Sequence, residues 1–170
     1  MIAEDLTALE ALGIAIRSEV DAQEIYQDLA DLSQNDLLKE RFINLVKEEK
    51  QHQVLLEKKY NEMFPNVPLK LPKSQMPKNV NSSTARKKLS IKDVLKVAID
   101  EEKRSRDFYL DCAEYVKDLS GKRMFRFLAD MEFSHQMILT AEYEMIEKYP
   151  QYFGDVKHWE VEDSLRKEKQ

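Results

Sequence analysis

The chain has 170 residues, a mass of 20.1 kDa and a formal charge of −5. Its 3 glycines, 5 prolines and 1 cysteine exclude a collagen-like chain, an intramolecular disulfide and a four-cysteine metal site, and they disfavour an all-β fold. No apolar run approaches the roughly 18 residues of a membrane span and the N-terminus does not resemble a signal peptide, so we expect a cytoplasmic protein without a membrane partner.

The first half of the chain predicts two long helices. Thr7 and Glu10 form the pattern of a capping box, which marks the start of the first helix. An apolar stripe of helical period continues to Leu29, and the polar residues 33–35 interrupt it. A second stripe follows and ends before Pro65, because proline cannot continue a helix.

A long linker follows the second helix. Four of the five prolines lie between residues 65 and 77. Six basic residues and no acid occur from Pro65 to Ser90, which leaves a charge of −11 on the rest of the chain. This negative charge outside the linker argues against a nucleic-acid partner. About 25 extended residues reach roughly 80 Å, which is enough to cross a bundle of helices roughly 40 Å long.

The second half also predicts two long helices. Ser90 is the expected cap of the third long helix, the pair Ser120 and Gly121 is the expected turn, and the fourth long helix ends before Pro150. Two helical hairpins joined by one long crossover predict an all-α, ferritin-like four-helix bundle. The expected organisation is a single domain over 1–170, with repeat one at about 7–63, the crossover linker at 64–89, repeat two at about 90–149 and a short helical tail at 150–170.

The two halves are related by an internal repeat with an offset of 83 residues. Over residues 12–30 and 42–56, 13 of 34 positions are identical to their partners in the second half, which indicates a duplicated hairpin. The identities include four polar pairs on otherwise apolar stripes. These are Glu19 with Glu102, Tyr26 with Tyr109, Glu49 with Glu132, and His52 with His135.

These pairs place acids and imidazoles in one core. In each Glu-x-x-His pattern, the residues at i and i+3 project from the same side of a helix. Four buried, unpaired carboxylates would cost many kcal/mol, and the inner faces offer few cations, although Arg106 is a candidate partner. Two divalent metal ions would balance the four negative charges. The metal ligands predicted from the repeat are Glu19, Glu49, His52, Glu102, Glu132 and His135.

The two Glu-x-x-His and two Glu-x6-Tyr motifs resemble the ferritin-like di-iron carboxylate superfamily, most closely its rubrerythrin branch, over about residues 7–149. The resemblance implies that Glu19 and Glu102 are terminal ligands and that Glu49 and Glu132 bridge two metals. His52 and His135 would each bind one metal. It also implies two iron ions, with manganese as the alternative, and makes Tyr26 and Tyr109 hydrogen-bond donors to ligand carboxylates.

Two departures from the rubrerythrin pattern affect the expected reaction. Cys112 is the only cysteine, so we expect no rubredoxin domain and a separate protein as the electron donor. Ser105 stands where rubrerythrins tend to carry an additional Glu. The favoured hypothesis is an oxidoreductase that reduces peroxide or oxygen. A ferroxidase or iron storage or delivery protein is the first alternative, and a metal-free structural or interaction bundle is the second.

Other residues receive simpler interpretations. Cys112 is expected to be a small core residue, and His158, which has no repeat partner, is expected not to bind metal. Aromatic residues outside the inner stripes predict a homodimer; these are Phe127, Phe133 and Tyr143. Acids near the motifs but off the matched positions are expected at the surface or just outside the ligands. They are Glu48, Glu101 and Glu142.

Overall fold

The protein is described by a computed structural model over residues 6–149, and this part of the chain is all-helical. The all-α fold class predicted from the sequence is therefore confirmed. The predicted helical tail and His158 lie outside the described residues. The helices are α1 (Ala8–Leu32), α2 (Asp36–Met63), α3 (Ser83–Arg86), α4 (Ile91–Tyr115) and α5 (Leu119–Lys148).

Side-chain caps explain where the long helices begin. Thr7 and Glu10 form the predicted capping box of α1, and Ser90 caps α4 by accepting a hydrogen bond from the amide of Asp93. Asn35 caps α2 in the same way, so the break at residues 33–35 needs only three residues. Each cap satisfies an amide that has no partner within its helix.

The predicted turn at Ser120 and Gly121 is wrong. Both residues lie inside α5, because Asp118 caps this helix and accepts a hydrogen bond of 2.7 Å from the amide of Gly121. The turn between α4 and α5 is formed by residues 116–118 instead. Gly121 has an ordinary negative φ, and a Cβ there would lie 2.8 Å from Asp118 Oδ2 and 2.9 Å from Val116 Cγ2. A close approach, rather than a turn conformation, therefore explains this glycine.

The core consists of two apolar clusters, and the predicted ligands fall between them along every long helix. The cluster that contains Tyr26 lies C-terminal to the predicted ligands along α1 and α5. Along α2 and α4, the same cluster lies N-terminal to the predicted ligands. Helices α2 and α4 therefore run in the same direction, as the linker length predicted, and residues 64–90 must return along the bundle. The inward-facing apolar residues of the long helices are mostly buried, whereas Ile138, one position before the buried Leu139, is 36% exposed.

The crossover is anchored by a short helix that the sequence pattern did not reveal. At the end of α3, Arg86 is fully buried and donates from Nε to Asp28 Oδ2 at 2.7 Å and from Nη1 to the carbonyl of Val80 at 2.9 Å. Ser83 donates to the other oxygen of Asp28 at 2.6 Å. These contacts fasten the end of the crossover to α1. None of the helices between residues 6 and 149 has the length and hydropathy that crossing a bilayer requires.

Candidate metal centre

Each of the four long helices contributes one turn to a polar layer between the two apolar clusters. Helices α1 and α4 each supply one glutamate, and α2 and α5 each supply a glutamate with a histidine three residues later. All six side chains are buried, with exposed fractions between 0% and 4%. The members are Glu19 on α1, Glu49 and His52 on α2, Glu102 on α4, and Glu132 and His135 on α5.

The layer divides into two overlapping groups of four. In each group, one ligand atom per residue lies within 4.8 Å of the corresponding atoms of the other three. Glu49 and Glu132 belong to both groups, which is the arrangement expected of two carboxylates between neighbouring metal positions. The first group adds Glu19 and His52, and the second adds Glu102 and His135.

Both imidazole rings present the same nitrogen to the carboxylates. His52 Nδ1 lies 3.0 Å from Glu49 Oε2 and 3.3 Å from Glu132 Oε1. His135 Nδ1 lies 2.7 Å from Glu49 Oε1 and 3.5 Å from Glu132 Oε2. The two rings stack with their centroids 5.5 Å apart and an interplanar angle of 18°. Each ring therefore faces both shared glutamates.

The two tyrosines hold carboxylates of the opposite repeat. The hydroxyl of Tyr26 donates to Glu102 Oε1, and the hydroxyl of Tyr109 donates to Glu19 Oε1. Both tyrosines are fully buried. Each bond fixes one oxygen of a carboxylate and leaves the other directed into the layer. The expected contact with ligand carboxylates is present, and the structure adds that it crosses between α1 and α4.

The four carboxyl groups separate into two electrostatic types. Burial, reinforced by the charges of Glu132 and Glu49, raises the pKa of both Glu19 and Glu102 well above the usual value. Burial also acts to raise the pKa of the two shared glutamates. Hydrogen bonds with the histidines outweigh it, so the pKa values of Glu49 and Glu132 are lowered.

The histidines are proton carriers in the metal-free layer. Burial acts to lower the pKa of His52, but its contacts with Glu132, Glu19 and Glu49 raise that pKa to about 12. The pKa of His135 is raised for the same reason by Glu102, Glu132 and Glu49. Without metal, protons on the two histidines therefore supply positive charge against the carboxylates of the layer.

Several buried atoms of the layer nevertheless make only contacts that lack normal hydrogen-bond geometry, and within residues 6–149 no lysine or arginine forms an ion pair with these carboxylates. Buried polar atoms are normally satisfied, so such a concentration indicates a missing ligand. Carboxylate-rich oxygen and nitrogen donors with this spacing suit divalent iron or manganese. The atoms without a hydrogen bond of normal geometry are Glu19 Oε2, Glu49 Oε1, Glu102 Oε2, Glu132 Oε1 and His135 Nδ1.

The expected pairing of Arg106 with a carboxylate of the layer is wrong; its guanidinium lies over the ring of Phe133, 4.6 Å from the centroid. Glu142, expected at the surface or just outside the ligands, is 1% exposed and forms an ion pair with Arg41. Cys112 is a buried core residue as expected, and burial raises the pKa of its thiol to about 12.

One contact of the layer was missed by the sequence interpretation. Glu48 Oε2 lies 2.9 Å from Nε2 of His135, on the side of the ring that faces away from the carboxylates. The two residues are on α2 and α5. No spacing within one helix could have revealed a contact between helices, although the position of Glu48 directly before Glu49 placed it near the ligands.

Comparison with known proteins agrees with this geometry. The rubrerythrin family model matches residues 10–153. A hypothetical protein from Pyrococcus furiosus is 35% identical, with a TM-score of 0.73 over 86% of this chain and 94% of that one. An uncharacterized conserved protein from Magnetospirillum magnetotacticum MS-1 is 25% identical, with a TM-score of 0.60 over 82% and 95% of the two chains. No curated protein matches. The chain belongs to the rubrerythrin family of ferritin-like proteins.

Proposed function

We propose that the protein is a dinuclear iron oxidoreductase that reduces peroxide or oxygen with electrons from a separate donor protein. The observation that carries this proposal is the pair of four-residue groups that share Glu49 and Glu132. A mononuclear or purely structural site would not need two complete groups. Membership of the rubrerythrin family supports iron over other divalent metals.

The six predicted ligands would be distributed over two metal positions. Glu19 and His52 would hold one ion, Glu102 and His135 the other, and the two shared glutamates would lie between them. Two bound iron ions would supply two electrons, the number that converts hydrogen peroxide and two protons into two waters. Tyr26 and Tyr109 would keep Glu102 and Glu19 in place by their hydrogen bonds.

One cavity is lined by residues that neighbour Glu19 and Glu102 along the chain, although none of the six predicted ligands lines it. It has a volume of about 360 Å³ and lies between α1, α4 and the crossover, with lining residues such as Arg17, Pro72 and Phe108. Ser18 and Ser105 also line it, and their hydroxyl oxygens lie 2.8 Å apart. Ser105 is three residues after Glu102, hence on the same side of α4. Under this proposal, a peroxide-sized molecule would approach the layer past these two hydroxyl groups.

The first experiment measures metal content after anaerobic purification and then follows the absorption spectrum on addition of peroxide or oxygen. We expect two irons per chain and oxidation that is faster with peroxide. Faster oxidation by oxygen, followed by accumulation of ferric mineral, would instead identify the ferroxidase or storage alternative. No iron uptake and an unchanged melting temperature would leave the metal-free bundle.

Variants test the residue assignment. Glu49→Ala and His52→Ala should each lose bound iron and turnover, because each removes a donor atom from the buried layer. Glu40→Ala is the matched control, since Glu40 is an exposed glutamate on the same helix. Full iron content and full activity in either ligand variant would contradict the assignment.

The homodimer remains part of the proposal. Phe127 and Phe133 are 52% and 44% exposed, whereas Tyr143 is half-buried beneath Lys92 and Lys96. We propose that these two exposed phenylalanines of α5 contact a second copy of the chain. Light scattering of the wild type and of a Phe127→Ser variant tests this, and a monomeric wild type would remove it.

A further inference from the structure

The two histidines of the layer differ in the contact made by the ring nitrogen Nε2, which faces away from the carboxylates of the layer. His135 presents Nδ1 to the shared glutamates, and its Nε2 lies 2.9 Å from Glu48 Oε2. Glu48 belongs to α2, and its side chain is 43% exposed, so this carboxylate lies at the edge of the bundle. A buried ring with one nitrogen toward a metal position and the other on a carboxylate is an oriented ligand.

The corresponding position in the other repeat cannot provide this contact. An offset of 83 residues places Met131 opposite Glu48, and a methionine thioether has no charge and accepts hydrogen bonds only weakly. Within the described chain, all carboxylate oxygens within ion-pair distance of His52 lie near Nδ1. All six predicted ligands are identical between the repeats. The carboxylate contact to Nε2, in contrast, is present for His135 and absent for His52 among the described residues.

This asymmetry has a consequence for metal affinity. A carboxylate on the far nitrogen of a ligating imidazole fixes the ring and makes the ligating nitrogen a stronger donor, and loss of such a partner typically lowers metal affinity 10–100-fold. We propose that Glu48 is a positioning residue that makes the His135 position the tighter of the two, so that it takes up a divalent cation first. The inference rests on the proposed dinuclear site.

Calorimetric titration with Co²⁺, which accepts the same donors and absorbs visible light, measures the two steps separately. We expect two unequal steps in the wild type. Glu48→Gln should weaken the tighter step about 10–100-fold and leave the other unchanged. Glu40→Gln is the control, because it removes the same charge from an exposed position of α2. Circular dichroism of the metal-free variants checks that the bundle is intact.

Two further backgrounds locate the effect. In a His52→Gln chain, Glu48→Gln should still weaken the remaining tight step, whereas in a His135→Gln chain it should have no effect, because its only route to the metal is gone. Met131→Glu should strengthen the weaker step by supplying the absent partner.

The outcomes separate the inference from the function on which it rests. Two Co²⁺ bound with equal affinity, or two unequal steps that Glu48→Gln does not change, would overturn the inference and leave the dinuclear site standing. A Glu48→Gln effect of equal size in the His135→Gln background would also overturn it, because Glu48 would then act elsewhere. No Co²⁺ bound by the wild type would overturn both proposals.

Discussion

Two regions of the described chain bury charge and compensate it in different ways. At the crossover, the guanidinium of Arg86 meets Asp28, the Val80 carbonyl and, at 3.5 Å, a carboxylate oxygen of Glu24. In the layer of six predicted ligands, no side chain with a fixed positive charge balances the carboxylates of Glu19 and Glu102. At the crossover, a fixed positive charge lies against Asp28, whereas the layer takes its positive charge from protons or metal ions. Burial alone therefore does not identify a functional site; what distinguishes the layer is a set of four buried carboxylates with no lysine or arginine partner within residues 6–149.

Removal of the Arg86 side chain at the crossover should produce the largest decrease in the free energy of unfolding. We expect Arg86→Ala to lower the free energy of unfolding by about 3–5 kcal/mol, because it leaves Asp28 buried without its counter-ion. Urea unfolding of the metal-free protein measures this. Lys87→Ala is the control: its side chain is 51% exposed and lies 4.0 Å from Asp28, so its loss should cost about 1 kcal/mol or less. Equal losses in both variants would contradict the anchoring role.

Metal should stabilise the layer and not the crossover. At a free Fe²⁺ concentration 100 times the Kd, one site adds about 2.7 kcal/mol to the free energy of unfolding. We expect this increase to be similar in wild type and Arg86→Ala, because the two regions share no residue. Anaerobic urea unfolding with and without Fe²⁺ measures it. An Fe²⁺ effect that persists in Glu49→Gln would indicate binding elsewhere.

The metal-free protein should lose stability as the pH rises above about 6.5. Both histidines have raised pKa values in the folded state, and the pKa of His52 is about 12. Between pH 7 and 9 the folded histidines retain protons that they release in the unfolded chain, so each retained proton costs about 1.4 kcal/mol per pH unit.

The two shared glutamates have lowered pKa values and are ionised in both states at this pH, so they add no slope. Metal ions should replace the retained protons and flatten the dependence. Urea unfolding from pH 7 to 9, with and without Fe²⁺, measures both slopes. A metal-free protein whose stability rises over this range would refute the assignment of protons to the layer.

The smallest expected effect tests whether the two repeats contribute equally to the stability of the layer. Tyr26→Phe and Tyr109→Phe should each lower the stability of the metal-free protein by about 1 kcal/mol, because each removes one buried hydrogen bond. The two losses should be similar, since the bonds are related by the repeat. Tyr149→Phe is the control, because this tyrosine is 42% exposed. A large loss in only one variant would show that the two halves are not equivalent.

Local rules were sufficient for much of the architecture. Thr7, Ser90 and the proline at position 65 marked helix boundaries, because caps and proline act through the neighbouring backbone. The rules failed at Gly121, where a close approach by Asp118, and not a turn, explains the glycine. Helix α3 was also missed, since four residues carry no periodic signal.

The sequence by itself determined which residues could form the site. The repeat paired all six predicted ligands and both tyrosines, because a duplicated hairpin places matched residues at matched helical positions. Whether these residues bind iron stays a prediction that the metal measurements test. What the repeat could not determine is which neighbours each residue meets across helices.

Only the tertiary structure decided those contacts. Tyr26 bonds to Glu102 rather than to Glu19 of its own repeat, and Glu48 meets His135 across two helices. Asp28 and Asp111 are matched in the repeat, yet only Asp28 meets Arg86, whereas Asp111 lines the cavity. The physical reason is that one crossover must pack against a nearly twofold bundle. It covers the two halves differently, and an internal repeat carries no information about that asymmetry.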